Sequence, residues 1–190
     1  MAVLLVLAGP SGVGKGTVAR QLLDADPSLW LSVSAATRPM RPGEVEGVDY
    51  FFMSRAEFEA IRAAGGFLEW FEVYGDLKGT PRAAVAEHLA AGSDVLLEID
   101  VQGALAVKAA FPEAVLVFLR PPSRAEQERR LRGRAGDDPN QLAAIPGRLA
   151  EAEAEERLAD RFDAVVTNVD AGEAAREVAA ILTSRRTPDA

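Results

Sequence analysis

The segment VLLVLAGPSGVGKGTVARQLL, residues 3–23, combines an apolar run, a glycine-rich turn and the start of a helical pattern. Gly9, Gly14 and Lys15 have the spacing of the phosphate-loop motif GxxxxGK[ST]. In such a loop, backbone N–H groups point toward phosphate oxygens, and the helix N-terminus adds partial positive charge. Because strand, loop, lysine and helix occur together, the segment predicts a phosphate-binding loop rather than a glycine-rich turn with no ligand.

The hydroxyl of this motif is displaced by one residue. Gly16 follows Lys15, and the first hydroxyl belongs to Thr17, in the predicted first helical turn, where it can donate to a phosphate. We therefore expect no protein side chain to bind a metal directly. Mg²⁺, which often keeps several waters, would be held mainly through the phosphates of the ligand and through waters, with Glu98 and Asp100 as the candidate carboxylates nearby.

Apolar runs alternate with helical patterns along the chain. The predicted strands are 2–8, 30–35, 67–73, 94–100, 115–119 and 164–167. The predicted helices are 15–25, 54–64, 81–91, 101–110, 123–133, 146–160 and 173–184, with Ser54, Thr80 and Ser123 as N-caps and Pro81 and Pro146 in first turns. This alternation predicts an α/β fold with a central parallel sheet flanked by helices, which binds ligands at the carboxyl ends of its strands.

Composition narrows the class of protein. The chain has 190 residues, 48% of them hydrophobic, a net charge of −8 and no cysteine. The charge argues against broad nucleic-acid binding, and the absent cysteines exclude disulfides and thiolate metal sites. No stretch is long enough to cross a bilayer, and the N-terminal run is not that of a signal peptide, so we expect a cytoplasmic protein with no membrane partner.

Charge is nevertheless uneven along the chain. Residues 120–148 hold seven arginines against four acids, whereas residues 149–163 hold six acids against two arginines. For any single arginine in such a stretch, a solvated position on a helix surface is the simpler interpretation. Together they form a basic region that could bind a small anion.

A second motif-rich segment is SAATRPMRPGEVEGVDYFF, residues 34–52. Its two arginines, three residues apart, are suited to bidentate contacts with one phosphate. Combined with GPSGVGKGT, FLEW, GTP, IDVQG, RPPS and RLRGR, the segment closely resembles the guanylate kinases over residues 3–181. The resemblance implies a P-loop kinase that transfers the terminal phosphate of ATP to GMP, and also to dGMP, within one domain spanning residues 1–190. The implied core is 3–36 and 81–184, the GMP-binding lobe is 37–80, and a mobile lid is 132–147.

The resemblance also implies roles for matching residues. The donor nucleotide would be held by Gly9, Pro10, Ser11, Gly12, Val13, Gly14, Lys15, Gly16, Thr17 and Asn168. GMP would be held by Ser34, Arg38, Arg41, Tyr50, Glu69, Lys78, Thr80, Glu98 and Asp100, with the division between Glu98 and Asp100 left open. Lys15, Arg38, Arg130, Arg134 and Arg148 would stabilise charge on the transferred phosphoryl group.

Three positions depart from the family pattern. Lys78 stands where a tyrosine is expected at the GMP phosphate, Glu98 stands where aspartate is usual, and Gly147 replaces one of two adjacent lid arginines. The reaction itself needs no general base, because a phosphomonoester has a second pKa of about 6 and is largely ionised at neutral pH. Accordingly, the one histidine, His88, lies outside every motif.

Two other functions are compatible with parts of this pattern. A non-catalytic guanylate-kinase-like module that binds proteins would typically lack the loop lysine and the lid arginines, which are present here. A kinase for a sugar phosphate would share the ATP loop but would not need residues 34–50 together with Glu69 and Thr80. The oligomeric state is not indicated by the sequence.

Overall fold

The computed structural model describes residues 2–41, 43–73 and 75–186. The strands are β1 (Leu4–Ala8), β2 (Trp30–Leu31), β3 (Ala35–Ala36), β4 (Phe51–Phe52), β5 (Phe67–Val73), β6 (Asp76–Pro81), β7 (Val95–Glu98), β8 (Val115–Arg120) and β9 (Ala164–Thr167). The helices are α1 (Lys15–Ala25), α2 (Arg55–Ala63), α3 (Arg82–Ala90), α4 (Val101–Ala110), α5 (Arg124–Ala135), α6 (Pro139–Glu156) and α7 (Ala171–Arg186). Residues 1, 42, 74 and 187–190 of the predicted domain span lie outside the described residues.

Five strands form a wholly parallel sheet in the order β2-β7-β1-β8-β9. Every residue of the central strand β1 is buried, because the sheet is covered on both faces. Leu5 and Leu7 pack in one core with α1 and α7, while Leu4 and Val6 pack in the opposite core with α3 and α4. The predicted α/β class with helices on both faces is confirmed.

A smaller mixed sheet has the order β4-β3-β6-β5, with β5 and β6 antiparallel. Its core is formed by Ala35, Phe58 from α2, Phe67 and Leu77. The rings of Phe58 and Phe67 stack with centroids 4.2 Å apart. Strands β4, β5 and most of β6 lie within residues 37–80, where the lobe was predicted, and β5 packs against α4 of the larger sheet.

Residues predicted to lie near the donor nucleotide are found at the carboxyl edge of the parallel sheet. The phosphate loop follows β1, Glu98 ends β7, and Asn168 follows β9. At the opposite, amino edge, Asp94 accepts the backbone N–H of Val3 at 2.6 Å and the guanidinium of Arg186 at 2.5 Å. Arg186 also binds Asp26 at 2.6 Å, so the C-terminal helix is tied to this edge.

Local patterns predicted several elements correctly. The predicted bounds of α1, α4, β5 and β9 are those observed. The capping box of α2 is also confirmed, since the Ser54 side chain accepts from the Glu57 N–H and the Glu57 side chain accepts from the Ser54 N–H. At the start of α5, the predicted N-cap Ser123 accepts from the Glu126 N–H in the same way.

Three expectations were wrong. The predicted strand 30–35 is two separate strands, since β2 pairs with β7 in the large sheet and β3 pairs in the small one. Thr80 belongs to β6, and Pro81 is itself the N-cap of α3. Pro146 lies inside α6, which begins at Pro139 after the Asp138 cap.

The predicted lid, 132–147, is mostly helical. It contains the end of α5, a three-residue connection at 136–138 and the first half of α6. Its mobility stays a prediction. No helix in the part of the chain that the structure describes combines the length and hydrophobicity needed to span a bilayer.

Candidate active site

The loop between β1 and α1 has the backbone of a phosphate cradle. Gly9, Gly12 and Gly14 have positive φ angles of 152°, 81° and 95°, a region that glycine enters without steric cost. At Gly9 a Cβ would also collide with the carbonyl oxygen of Leu119 on β8. The loop therefore needs glycine both for its turns and for its close approach to the sheet.

Lys15 opens α1 and lies at the centre of this loop. Its ammonium donates to the carbonyl oxygen of Gly9 at 2.6 Å and to that of Pro10 at 3.4 Å. Burial lowers the pKa of Lys15, and the negative charge of Glu98 opposes that effect. A partly desolvated ammonium held at the helix N-terminus is suited to an anionic ligand.

The structure shows what occupies the space beside the displaced hydroxyl. A Cβ at Gly16 would lie 3.5 Å from Oε1 of Glu98, so the first turn of α1 faces that carboxylate directly. Thr17 is exposed in the same turn. A Cβ at position 16 would make ordinary van der Waals contact with this carboxylate.

Three carboxylates surround the charge of Lys15. Burial raises the pKa values of Glu98 and Asp100, while Lys15 lowers both. Asp100 also caps α4, accepting the Gly103 N–H at 2.8 Å. Glu155 on α6 was not identified from the sequence; burial raises its pKa to about 7, and Lys15 opposes that effect.

Glu69 and Thr80 form a buried polar pair on neighbouring strands of the small sheet. The Thr80 hydroxyl donates to Oε1 of Glu69 at 2.6 Å, and the two residues are directly opposite in the β5–β6 register. Oε2 of Glu69 is buried with no hydrogen-bond partner among the described residues. Burial, with a further contribution from Asp100, raises the pKa of Glu69 to about 7. Such a carboxylate has an unused acceptor for a ligand that brings donors.

Arg38 is held by a residue to which the sequence analysis assigned no role. Glu44 binds its guanidinium through both carboxylate oxygens, at 2.5 and 2.7 Å, and also accepts the backbone N–H of Arg41 at 2.8 Å. These contacts with Arg38 hold the pKa of Glu44 at about 2. Arg38 is 7% exposed and lies 4.9 Å from the ring centroid of Tyr50. Glu44 was visible in the motif of residues 34–52, but its partners depend on the folded loop.

Lys78 lies beside Tyr50, with its ammonium 3.5 Å from the Tyr50 hydroxyl and 5.1 Å from the ring centroid. Its charge also lowers the pKa values of Glu98 and Asp100 across the site. Ser34 is partly buried, and its carbonyl accepts the Phe51 N–H at 2.9 Å. Lys78 and Tyr50 therefore lie side by side.

The predicted lid arginines are in different environments. Arg130 donates to the carbonyls of Val13 at 3.0 Å and Asn168 at 3.1 Å, so it contacts the loop backbone. Arg134 is exposed on α5, and its charge reaches Glu98. Arg148 is partly exposed on α6, and the described contacts do not join it to the loop.

Asn168 is almost wholly buried beside the phosphate loop. Its amide donates to the Val13 carbonyl at 2.8 Å, while its Oδ1 has no hydrogen-bond partner among the described residues. Asn168 thus supports the loop through its amide nitrogen, and its Oδ1 atom has an unused acceptor.

The donor set does not form a protein cage for a metal. Within residues 2–41, 43–73 and 75–186, no group of three or more His, Cys, Asp or Glu side chains is placed to hold an ion. Glu98 and Asp100, beside Lys15, are oxygen donors of the kind that Mg²⁺ prefers. They fit a metal held in part by phosphates and waters.

Comparison with known proteins shows the family of this chain. Residues 1–185 match the family model described as guanylate kinase. The chain is 55% identical over 175 residues to a guanylate kinase of Synechococcus sp. (strain CC9902), covering 92% of each chain. It is 54% identical over 183 residues to one of Thermus thermophilus, covering 96% of this chain and 81% of the relative.

A solved structure agrees with these matches. The crystal structure of guanylate kinase from Anaplasma phagocytophilum superposes with a TM-score of 0.81 at 33% identity. The match covers 98% of this chain and 87% of that one.

Proposed function

The chain belongs to the guanylate kinase family, and from this we infer that it transfers the γ-phosphate of ATP to GMP, giving ADP and GDP. The observation that best supports this reaction is the position of Asp100 between two sites. Asp100 accepts the N–H of Gly103, where a Cβ would lie 3.2 Å from Oε2 of Glu69, and two residues before Asp100 the carboxylate of Glu98 faces Gly16 of the phosphate loop. The Glu69–Thr80 pair and the phosphate loop therefore both adjoin residues 98–103.

The choice of guanine follows from the chemistry of Glu69. Guanine presents the N1–H and the N2 amino group as adjacent donors, whereas adenine presents an acceptor at N1. An ionised carboxylate only accepts hydrogen bonds, and each of its oxygens can accept more than one. Oε2 of Glu69 has no partner among the described residues, and Oε1 accepts from Thr80. Both oxygens can therefore accept from guanine, whereas the N1 acceptor of adenine would face the carboxylate without a donor.

We assign the phosphate of GMP to the opposite end of the same pocket. Arg38, fixed by Glu44, lies beside Tyr50, and Lys78 contacts the same tyrosine hydroxyl. Arg41 and Ser34 lie on the adjoining loop. These groups would neutralise and orient the attacking phosphate, whose oxygen is already ionised at neutral pH.

The donor phosphates would lie in the loop from Gly9 to Thr17. Lys15 now donates to the Gly9 and Pro10 carbonyls, and it would exchange those contacts for phosphate oxygens. Arg134 and Arg148 would add positive charge when the lid closes, and closure would exclude water. When bound, Mg²⁺ would neutralise charge on the ATP phosphates, with Glu98 and Asp100 orienting its waters. The cytoplasmic location and the lack of nucleic-acid partners stay predictions of the sequence.

The proposed reaction is tested by following ADP formation from ATP and Mg²⁺ with a panel of acceptors. GMP and dGMP should support turnover, while AMP, UMP and ribose 5-phosphate should not. Equal turnover with AMP would contradict the role of Glu69. Turnover with ribose 5-phosphate alone would indicate a sugar-phosphate kinase, and no turnover with any acceptor would indicate a binding module.

A further inference from the structure

The outer side of the phosphate loop is held by side chains that are distant in sequence. The Gln127 amide donates to the Ser11 carbonyl at 2.8 Å. Arg130 and Asn168 both donate to the Val13 carbonyl, at 3.0 and 2.8 Å. Because these backbone carbonyls accept hydrogen bonds on the outer side of the loop, the peptide units are held in an orientation in which their N–H groups can face a ligand.

Two of these donors and one apolar contact come from a single face of α5. Gln127, Arg130 and Leu131 are spaced at i, i+3 and i+4, which places them on the same side of a helix. Leu131 packs so closely that a Cβ at Gly12 would lie 2.8 Å from its Cγ. Gln127 and Leu131 are 4% and 2% exposed. The helix therefore supports the loop through a dry, closely packed contact.

We propose that Gln127 is a positioning residue for the donor nucleotide, acting through its hydrogen bond to Ser11. This inference rests on the proposed function for one point, which is that the nucleotide bound by the loop is ATP or ADP. The amide end that faces Ser11 must be the NH₂ group, since a carbonyl only accepts. Val13 receives two side-chain donors and keeps one if the other is lost. The Ser11 carbonyl, in contrast, accepts from Gln127 alone among the described side chains. Loss of the Gln127 amide would therefore leave this part of the loop without side-chain support.

The same helix links this contact to the lid. Arg134 is one turn beyond Arg130 on α5, and its charge already reaches Glu98. Gln127 therefore fixes the loop against the helix that carries a predicted lid arginine. Because Gln127 contacts the donor loop and neither Glu69 nor Arg38, we expect its replacement to affect the donor nucleotide and to leave GMP affinity unchanged.

The test measures nucleotide affinity directly. In Gln127→Leu, which fills similar space without a donor, the Kd for ADP and the KM for ATP should rise about three- to tenfold, the factor expected for one hydrogen bond. The KM for GMP should stay at the wild-type value. If Gln127→Leu does not fold, Gln127→Asn, which withdraws the amide by one methylene, replaces it with the same expected result.

A matched control separates positioning from general loss of stability. Glu128, in the middle of the same helix, accepts hydrogen bonds from Arg132 and has no described contact with the loop, and Glu128→Gly should destabilise α5 by removing helix propensity. It should lower the Tm without weakening ADP binding. Wild-type ADP affinity in the Gln127 variant, or equal weakening of ADP and GMP, would overturn the proposal, as would equally weakened ADP binding in Glu128→Gly. Failure of the proposed function would instead appear in the wild type, as ADP binding without turnover of GMP.

Discussion

Replacing Glu69 with glutamine should remove a loss of stability that the nucleotide-free protein undergoes as pH rises, and it should weaken the binding of GMP. Glu69 is 5% exposed, and one of its oxygens has no hydrogen-bond partner among the described residues. Burial raises its pKa to about 7 from the usual value of 4.5. An ionised carboxylate in this position destabilises the folded state, because the charge is buried without a full set of hydrogen bonds when no ligand is bound.

The sign and size of the effect follow from this pKa. Because the folded protein holds the proton more tightly than the unfolded chain, Glu69 favours folding below pH 4.5, and that contribution is lost as pH rises toward about 7. The complete loss corresponds to about 3 kcal/mol. Glutamine does not titrate, and any cost of its unpaired NH₂ group is the same at every pH. The free energy of unfolding of Glu69→Gln, relative to wild type, should therefore rise between pH 5 and pH 8 by up to about 3 kcal/mol.

Urea unfolding of both proteins at several pH values, without nucleotide, measures this difference. Parallel stability profiles for wild type and variant would refute the raised pKa of Glu69. GMP titrations supply the second half of the test, because guanine needs the ionised carboxylate. GMP binding at pH 7 should release protons from wild type. Because residue 69 does not titrate in the variant, the pH dependence of GMP affinity that remains there comes from the phosphate of GMP. Unchanged discrimination between GMP and AMP in the variant would remove Glu69 from the base site.

Substitutions at three further positions test the phosphate contacts. Lys15→Ala should reduce kcat by orders of magnitude with the fold intact by circular dichroism, and a kcat within a few-fold of wild type would contradict the loop assignment. Lys78→Ala should raise the KM for GMP, leave the KM for ATP unchanged and flatten the salt dependence of GMP binding, because an ammonium is screened more than a neutral donor. Lys78→Tyr should restore affinity for GMP with a weak salt dependence. Identical plots of GMP KM against salt for wild type and both variants would place Lys78 outside the site. Glu44→Gln, which weakens the bidentate hold on Arg38, should raise the KM for GMP about three- to tenfold in steady-state assays, and an unchanged KM would show that Arg38 needs no support.

Elements whose signals are local could be predicted from the sequence. The phosphate loop was identified by Gly9, Gly14 and Lys15, and the start of α2 by Ser54 and Glu57, because caps and glycine turns act within a few residues. The helix at 139–156 shows where such reasoning fails. Two prolines could each occupy a first turn, and the side chain of Asp138, which accepts the N–H groups of Asn140 and Gln141, selects the earlier one.

Features that depend on distant contacts could not be predicted. The apolar run at 30–35 is divided between two sheets, and only the pairing partners of β2 and β3 determine where each strand belongs. Gln127 is separated from Ser11 by 116 residues, so its spacing carries no signal of the contact. Glu44 lies within a recognised motif, yet its hold on Arg38 appears only when the loop is folded. The supporting residues of this site were thus harder to identify than those that would touch the nucleotides.

The clamp formed by Asp26, Asp94 and Arg186 has a practical consequence for handling the protein. Val3 and Arg186 meet on the same carboxylate, at the amino edge of the sheet, whereas the loop of Lys15 lies at the carboxyl edge. Both ends of the described chain therefore lie on the side of the sheet opposite the phosphate loop. A linker joined there could attach the enzyme to a surface or to a fluorophore at a distance from that loop.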